Sequence, residues 1–122
     1  MRYSTLTRRY FETAASAGTL DGAGVRRGEA GSRAGGVWVR FDVRVAPGTG
    51  LIEEARFLAH GCPHTLAVAA WVAEQAAGGP ARAQLPEDVQ SLRRRFEVPV
   101  EKLGRLLVVE DAWCAALSAA PA

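Results

Sequence analysis

Residues 37–60 read VWVRFDVRVAPGTGLIEEARFLAH, and this stretch decides the fold. Aliphatic or aromatic residues alternate with mainly charged ones over residues 37–45, which predicts a strand with one apolar and one polar face. Pro47-Gly48-Thr49-Gly50 is typical of a tight turn. Residues 51–60 form a second candidate strand, with Ala55, Phe57 and Ala59 on one face. The short connection predicts an antiparallel hairpin.

The remaining elements follow from helical spacing and from glycine and proline. The glycine-rich residues 18–36 predict either a flexible loop or short edge strands joined by turns. Pro63 suits the first position of a helix, and Gly78-Gly79-Pro80 ends that helix. Helices are predicted over residues 3–14, 63–78, 86–96 and 100–119.

Two of these helices have an expected buried side. Leu6, Tyr10 and Phe11 share one side of the first helix. The stripe of the last helix contains Leu103, Leu106, Leu107, Glu110, Trp113 and Leu117. The order of helix, strands and helices predicts a single α+β domain over residues 1–122, with a small antiparallel sheet covered by helices.

Composition limits the class of protein. A chain of 122 residues with 48% apolar and 23% charged residues fits one soluble domain. The net charge of +2 gives no reason to expect a nucleic-acid partner, and Arg93, Arg94 and Arg95 are interpreted as a solvated helix face. No apolar run approaches the ~18 residues of a membrane helix, and the first ten residues lack a secretory signal. We therefore expect a cytoplasmic location with no membrane partner.

Cys62 is the main candidate for chemistry, because it lies where a strand is followed by a helix. A helix N-terminus has a partial positive charge and free N–H groups, and both favour a thiolate. His60 and His64 flank Cys62 and are weaker candidates, since each fits a surface or capping role better than a ligand role. The alternative is that Cys62 is a small buried residue at a turn. Cys114, inside the last helix, is interpreted as a packing residue.

Three separated segments carry a family resemblance. Residues 10–18 read YFETAASAG, residues 51–62 read LIEEARFLAHGC, and the third segment combines FEVPVEK at 96–102 with EDA at 110–112. In this order and near these spacings they resemble conserved motifs of the IscU/NifU-type iron–sulfur cluster assembly scaffolds. The resemblance covers about residues 10–117 and implies the IscU/SufE-like sandwich of helices on a sheet.

The same resemblance implies that most of the family's metal ligands are missing here. Members usually bind a cluster or zinc through three cysteines and an aspartate, sometimes with a histidine. The segment matching the first Cys-Gly-Asp motif reads Ala34-Gly35-Gly36, and the later His-Cys pair is matched by Gly104-Arg105. Cys62 is the one ligand position that survives. A fixed charge at Arg105 would oppose a metal ion and favour a Cys62 thiolate or persulfide.

Three functions remain open at this stage. The first is an iron–sulfur assembly scaffold with a degenerate ligand set, which binds a cluster, iron or zinc weakly or between the two subunits of a homodimer. The second is a SufE-like persulfide acceptor that uses Cys62, and the third is an interaction module without metal. The expected partners are a cysteine desulfurase or other assembly proteins, and no enzymatic activity of the chain itself is expected.

Overall fold

Three antiparallel strands form the sheet on which the helices pack. The computed structural model describes residues 3–121, and the sheet consists of β1 (Val25–Ser32), β2 (Val37–Val45) and β3 (Ile52–His60) in that spatial order. Both pairs are antiparallel, with Phe41 opposite Phe57 in the β2–β3 register. The predicted hairpin is confirmed as β2 and β3, and β2 ends at Val45 as expected.

The glycine-rich stretch contains a regular edge strand. Of the two alternatives that the sequence left open, a flexible loop or edge strands, the second is therefore found. β1 is eight residues long and pairs with β2 over its whole length. Gly28 is necessary there because a Cβ at this position would lie 2.1 Å from the backbone nitrogen of Ala116. The strand and the last helix thus approach each other more closely than any side chain at residue 28 would permit.

A short segment covers the free edge of β3. The backbone N–H of Gly18 donates to the Phe57 carbonyl at 2.9 Å, and the Phe57 N–H donates to the Ser16 carbonyl at 3.0 Å. The segment then crosses the sheet face that points away from the helices, where the Leu20 N–H donates to the Asp42 carboxylate at 3.0 Å. Asp42 is only 1% exposed as a result.

Helices cover the other face of the sheet. The last helix, α4 (Leu103–Ser118), packs on β1 and β2. The helix after β3, α2 (Pro63–Ala76), packs on β3, and the first helix, α1 (Thr5–Thr13), packs on α2. The apolar core lies between the sheet and these helices, with Phe41 and Trp113 in edge-to-face contact at 5.1 Å. The helical segments are α1 (Thr5–Thr13), α2 (Pro63–Ala76), α3 (Val89–Arg95), one 3₁₀ turn (Val100–Lys102) and α4 (Leu103–Ser118).

The α+β architecture agrees with the sequence prediction, but two helix faces were assigned wrongly. Leu107 is 44% exposed and Phe11 is 42% exposed, although both were placed on buried stripes. In α4 the buried stripe is rotated towards small residues, including Ala112 and Ala116, because the close approach to β1 leaves no room for longer side chains. In α1 the buried residues are Thr7 and Tyr10.

Candidate functional site

Cys62 is the N-cap residue of α2. Its backbone is extended (φ −78°, ψ 167°), and Pro63 occupies the first helical turn, as the sequence predicted. Gly61 precedes it because a Cβ there would lie 3.1 Å from the Thr65 hydroxyl oxygen. Thr65 can therefore approach the cysteine, and its Oγ1 lies 3.7 Å from the Cys62 sulfur. The half-buried sulfur makes no capping hydrogen bond, but it lies at the positive end of the α2 dipole.

His64 is the second polar side chain at this position. It is 1% exposed, its Nδ1 lies 3.9 Å from the Cys62 sulfur, and the Tyr3 ring packs edge-on against it at 4.8 Å. Its Nε2 atom is buried and has no hydrogen-bond partner within the described chain. The sequence interpretation of His64 as a surface or capping residue is wrong, because α2 is buried on nearly all sides between the sheet and α1.

The charge states of this pair follow from burial and from two nearby cations. Burial lowers the pKa of His64, and the charges of Lys102 and Arg105 lower it further, so the imidazole is neutral at neutral pH. Burial raises the pKa of Cys62, but the Thr65 N–H and hydroxyl, the His64 N–H and the charge of Arg105 together bring it below its ordinary value. The thiolate is therefore stabilised by N–H dipoles and Arg105, without help from a protonated His64.

The positions that match the family's lost ligands lie at the same end of the molecule as Cys62. Trp38 pairs with His60, so the turn containing Ala34 and Gly36 lies at the end of the sheet from which Cys62 follows. Gly104 and Arg105 are in the first turn of α4, and the charge of Arg105 acts on Cys62. The fold thus brings these distant segments to one place, with Arg105 beside the remaining sulfur.

The other candidate residues are placed differently. His60 is exposed at the end of β3, on the face away from the helices, while the polar contacts found for the Cys62 sulfur are with His64 and Thr65. Cys114 is exposed, so its interpretation as a packing residue is wrong; it lies on the opposite side of α4 from Ala112 and Ala116. Thr65 was missed by the sequence interpretation; its N–H donates to the Cys62 carbonyl at 3.0 Å, and its hydroxyl is what lies near the sulfur.

Comparison with known proteins identifies the family. A sequence model of the NifU-like N-terminal domain matches residues 2–119, nearly the whole chain. The chain belongs to the NifU-like N-terminal domain family. Membership confirms the resemblance found in the sequence and, with it, the general role in iron–sulfur cluster assembly. No curated protein matches the sequence significantly.

Two solved structures share the fold of this NifU-like domain. One is a proposed iron–sulfur cluster assembly scaffold protein for the SUF system from the thermophile Fervidobacterium islandicum AW-1, with a TM-score of 0.69 and 16% identity over 95% of this chain and 96% of that one. The other is a hypothetical protein with a TM-score of 0.59 and 12% identity over 92% and 96% of the two chains. At these identities the likeness shows the fold alone.

The described residues of this NifU-like domain do not fit a complete cluster or zinc site. Within residues 3–121 no group of three or more His, Cys, Asp or Glu side chains is placed to hold a metal ion. Cys62 and His64 could act as a pair of ligands. A tetrahedral ion at ~2.3 Å from sulfur and ~2.0 Å from nitrogen would place these two atoms about 3.5 Å apart, and they lie 3.9 Å apart here. Within residues 3–121 this pair is therefore half of a tetrahedral set at most. The described residues also include no helix that is long and apolar enough to span a membrane.

The lowered pKa of Cys62 predicts a difference in reactivity between the two thiols. Below the ordinary pKa of ~8.5 for a free cysteine, the thiolate fraction and hence the alkylation rate of Cys62 should exceed that of a free thiol. A pH–rate profile with iodoacetamide, followed by peptide mapping, separates Cys62 from Cys114. We expect the Cys62 profile to move to higher pH in Arg105→Gln, while Arg82→Gln, a change in an exposed arginine near the opposite end of the sheet, leaves it in place. A Cys62 profile at or above that of a free thiol would contradict this account.

Proposed function

We propose that this domain works in iron–sulfur cluster assembly by contributing the Cys62 thiolate to a cluster that a second molecule helps to hold. The observation that carries the proposal is a stabilised thiolate at 3.9 Å from His64 Nδ1 with no third ligand group in the described chain. A [2Fe–2S] cluster takes four protein ligands. Two copies of the chain would supply two sulfurs and two imidazoles, which makes four ligands. Alternatively, a different assembly protein could supply the two ligands that one copy lacks.

The positive charge near the sulfur favours a cluster held between two molecules over a cluster held by this chain alone. Arg105 replaces a soft ligand with a permanent cation, which repels iron or zinc but stabilises an anionic sulfur. Thiolates contributed by a second molecule would offset the positive charge of Arg105. The domain would then bind and deliver its cargo without turnover of its own, and a cysteine desulfurase is the partner that would supply the sulfur.

Anaerobic reconstitution with iron and sulfide tests the proposal. The monomer is expected to retain no cluster, whereas a dimeric fraction separated by gel filtration shows cluster absorption bands. Cys62→Ser should abolish these bands, and Cys114→Ser, a change in an exposed cysteine, should leave them unchanged. A cluster held by the monomer and insensitive to Cys62→Ser would refute both the shared site and the role of Cys62.

Persulfide acceptance is the second candidate function, and the stabilised thiolate is the observation that favours it. The Cys62 thiolate would attack the outer sulfur of a donor persulfide. A new S–S bond forms at Cys62, the S–S bond of the donor breaks, and the donor cysteine leaves as a thiolate. Metal analysis and mass spectrometry after incubation with a cysteine desulfurase and cysteine separate the two functions. Stoichiometric iron supports cluster binding, a metal-free protein carrying one added sulfur atom on Cys62 supports acceptance, and a metal-free protein with an inert thiol supports an interaction module.

A further inference from the structure

A groove at the far end of the sheet from Cys62 has the features of a separate binding site. It has a volume of about 540 Å³, and its lining includes Arg26 of β1, Arg44 and Val45 of β2, Pro47 of the hairpin turn, and Pro121 after α4. Glu53, near the first residue of β3, also lines it, whereas Cys62 follows the last residue. The nine residues of β3 span about 26 Å at ~3.3 Å per residue, so the groove and the Cys62 site are well separated.

Arg26 is a basic residue of this groove with unused hydrogen-bonding capacity. Its Nη1 donates to the Leu117 carbonyl in the last turn of α4 at 3.3 Å. Its Nε is buried without a partner, and within residues 3–121 the structure gives Nη2 none either. Nε–H and Nη2–H lie on the same edge of a guanidinium, and this edge binds a carboxylate through two parallel hydrogen bonds. An unmade hydrogen bond at a buried donor is unfavourable, which an anionic acceptor would relieve.

The surroundings of Arg26 select the class of ligand. Arg44 is already engaged by Glu54 at 3.4 Å and by the Asp21 carbonyl at 2.7 Å, so Arg26 is the guanidinium with a free edge. Glu53 adds a negative charge to the lining and disfavours a doubly charged anion. Ala23, Val45, Ala46 and Pro47 supply apolar surface next to the charge, and the volume lies in the range of small-molecule sites.

We propose that this groove binds a small carboxylic acid. The carboxylate accepts hydrogen bonds from Nε and Nη2 of Arg26, and the apolar body of the ligand packs on Val45, Ala46 and Pro47. The site does not depend on Cys62 or on any cluster, so its test is independent of the role proposed for Cys62.

Titration of the full chain with sodium benzoate, followed by NMR of the backbone amides, tests the proposal. We expect saturable shifts at Ala23, Val45 and Ala46, with no comparable shifts for benzamide, which has the same shape without the charge. Arg26→Gln should weaken benzoate binding at least about tenfold, since a charged hydrogen-bonded pair contributes ~1.5–3 kcal/mol. Arg33→Gln, a change in an exposed arginine, should leave the affinity unchanged.

Two further variants keep the test decisive if Arg26→Gln weakens the fold. Arg26→Lys retains the positive charge but not the two-donor edge, and it should also lose most of the binding. Ala23→Glu leaves Arg26 in place and adds a competing carboxylate at an exposed lining residue, so it should block benzoate in a folded protein. Inorganic phosphate binding as tightly as benzoate, shifts that do not saturate, or affinity that is unchanged in all three groove variants would overturn the proposal.

Discussion

Gly28→Ala is expected to lower the free energy of unfolding by at least about 2 kcal/mol, because overpacking a rigid contact typically costs ~1–3 kcal/mol and here the obstacle is backbone. The added Cβ would lie 2.1 Å from the Ala116 nitrogen and 2.4 Å from the Ala115 carbonyl carbon. No side-chain rotation relieves this clash, so α4 must move away from β1. That movement would also disturb the packing of Trp113, which is 1% exposed. Chemical denaturation monitored by tryptophan fluorescence gives the value.

Gly104→Ala is the matched control for this prediction. It is the same substitution inside α4, where a Cβ meets no atom within 4 Å. Alanine is favoured over glycine in a helix by up to ~1 kcal/mol, so this variant should be slightly more stable than the parent chain. Equal stability of the Gly28→Ala variant and the parent chain would show that α4 and β1 are not in the close contact described.

Asp42→Asn is expected to lower the free energy of unfolding by about 2–4 kcal/mol at neutral pH, the range for removing one partner of a buried ion pair, reduced because Arg27 is partly exposed. The Asp42 carboxylate is 1% exposed and lies 2.9 Å from Arg27 Nε and 3.1 Å from Arg40 Nε. It also accepts the Leu20 N–H, which holds the segment that crosses the outer face of the sheet. Asparagine keeps the size but removes the buried anion between Arg27 and Arg40, and leaves Arg27 only the exposed Asp21 carboxylate at 3.8 Å.

The pH dependence of this difference follows from the pKa of Asp42. Burial raises that pKa. Hydrogen bonds from Arg27, the Leu20 N–H and Arg40, together with the charge of Arg40, outweigh burial, so the pKa lies below its usual value. A lowered folded-state pKa stabilises the fold fully above the unfolded pKa of ~3.9, and this contribution is lost as the pH falls through the folded value. The stability gap between parent and Asp42→Asn should therefore be constant near pH 7 and close in acid.

Asp111→Asn provides the comparison for this pH series, because Asp111 is an exposed residue of α4. The free energy of unfolding of the Asp111→Asn variant should equal that of the parent chain at each pH. A gap between parent and Asp42→Asn that persists unchanged below pH ~3 would mean that the charge of Asp42 is not what holds the outer segment to the sheet.

The proposed chemistry at Cys62 depends on the residues that surround it rather than on a closed set of metal ligands. The fold still brings the β1–β2 turn, the start of α2 and the start of α4 together, but the side chains there are now small or cationic at Ala34, Gly36 and Arg105. The positive charge of Arg105 near a single thiolate suits an anionic sulfur or a cluster whose remaining ligands come from another molecule. The reconstitution and persulfide experiments distinguish these outcomes.

The sequence by itself determined the features that depend on local pattern. Alternation over residues 37–45 and the Pro-Gly turn specified the hairpin, since a period of two places all apolar side chains of a strand on one face. The same reasoning placed Cys62 at the start of a helix, because Gly61 ends a strand and Pro63 suits a first helical turn. The order of short motifs along the chain was sufficient for the family, which the match over residues 2–119 confirms.

Only the tertiary structure decided which of these residues are enclosed. The pattern placed Asp42 on a polar face, but residues 16–20 cross that face and bury it against Arg27 and Arg40. The sequence suggested a surface position for His64, but α2 is enclosed by α1 and the sheet. It suggested an internal position for Cys114, but α4 packs on β1 through its small residues, opposite Gly28, and Cys114 is exposed. Burial depends on elements that are distant in sequence, and a local pattern of polar and apolar residues contains no information about which segment will pack over it.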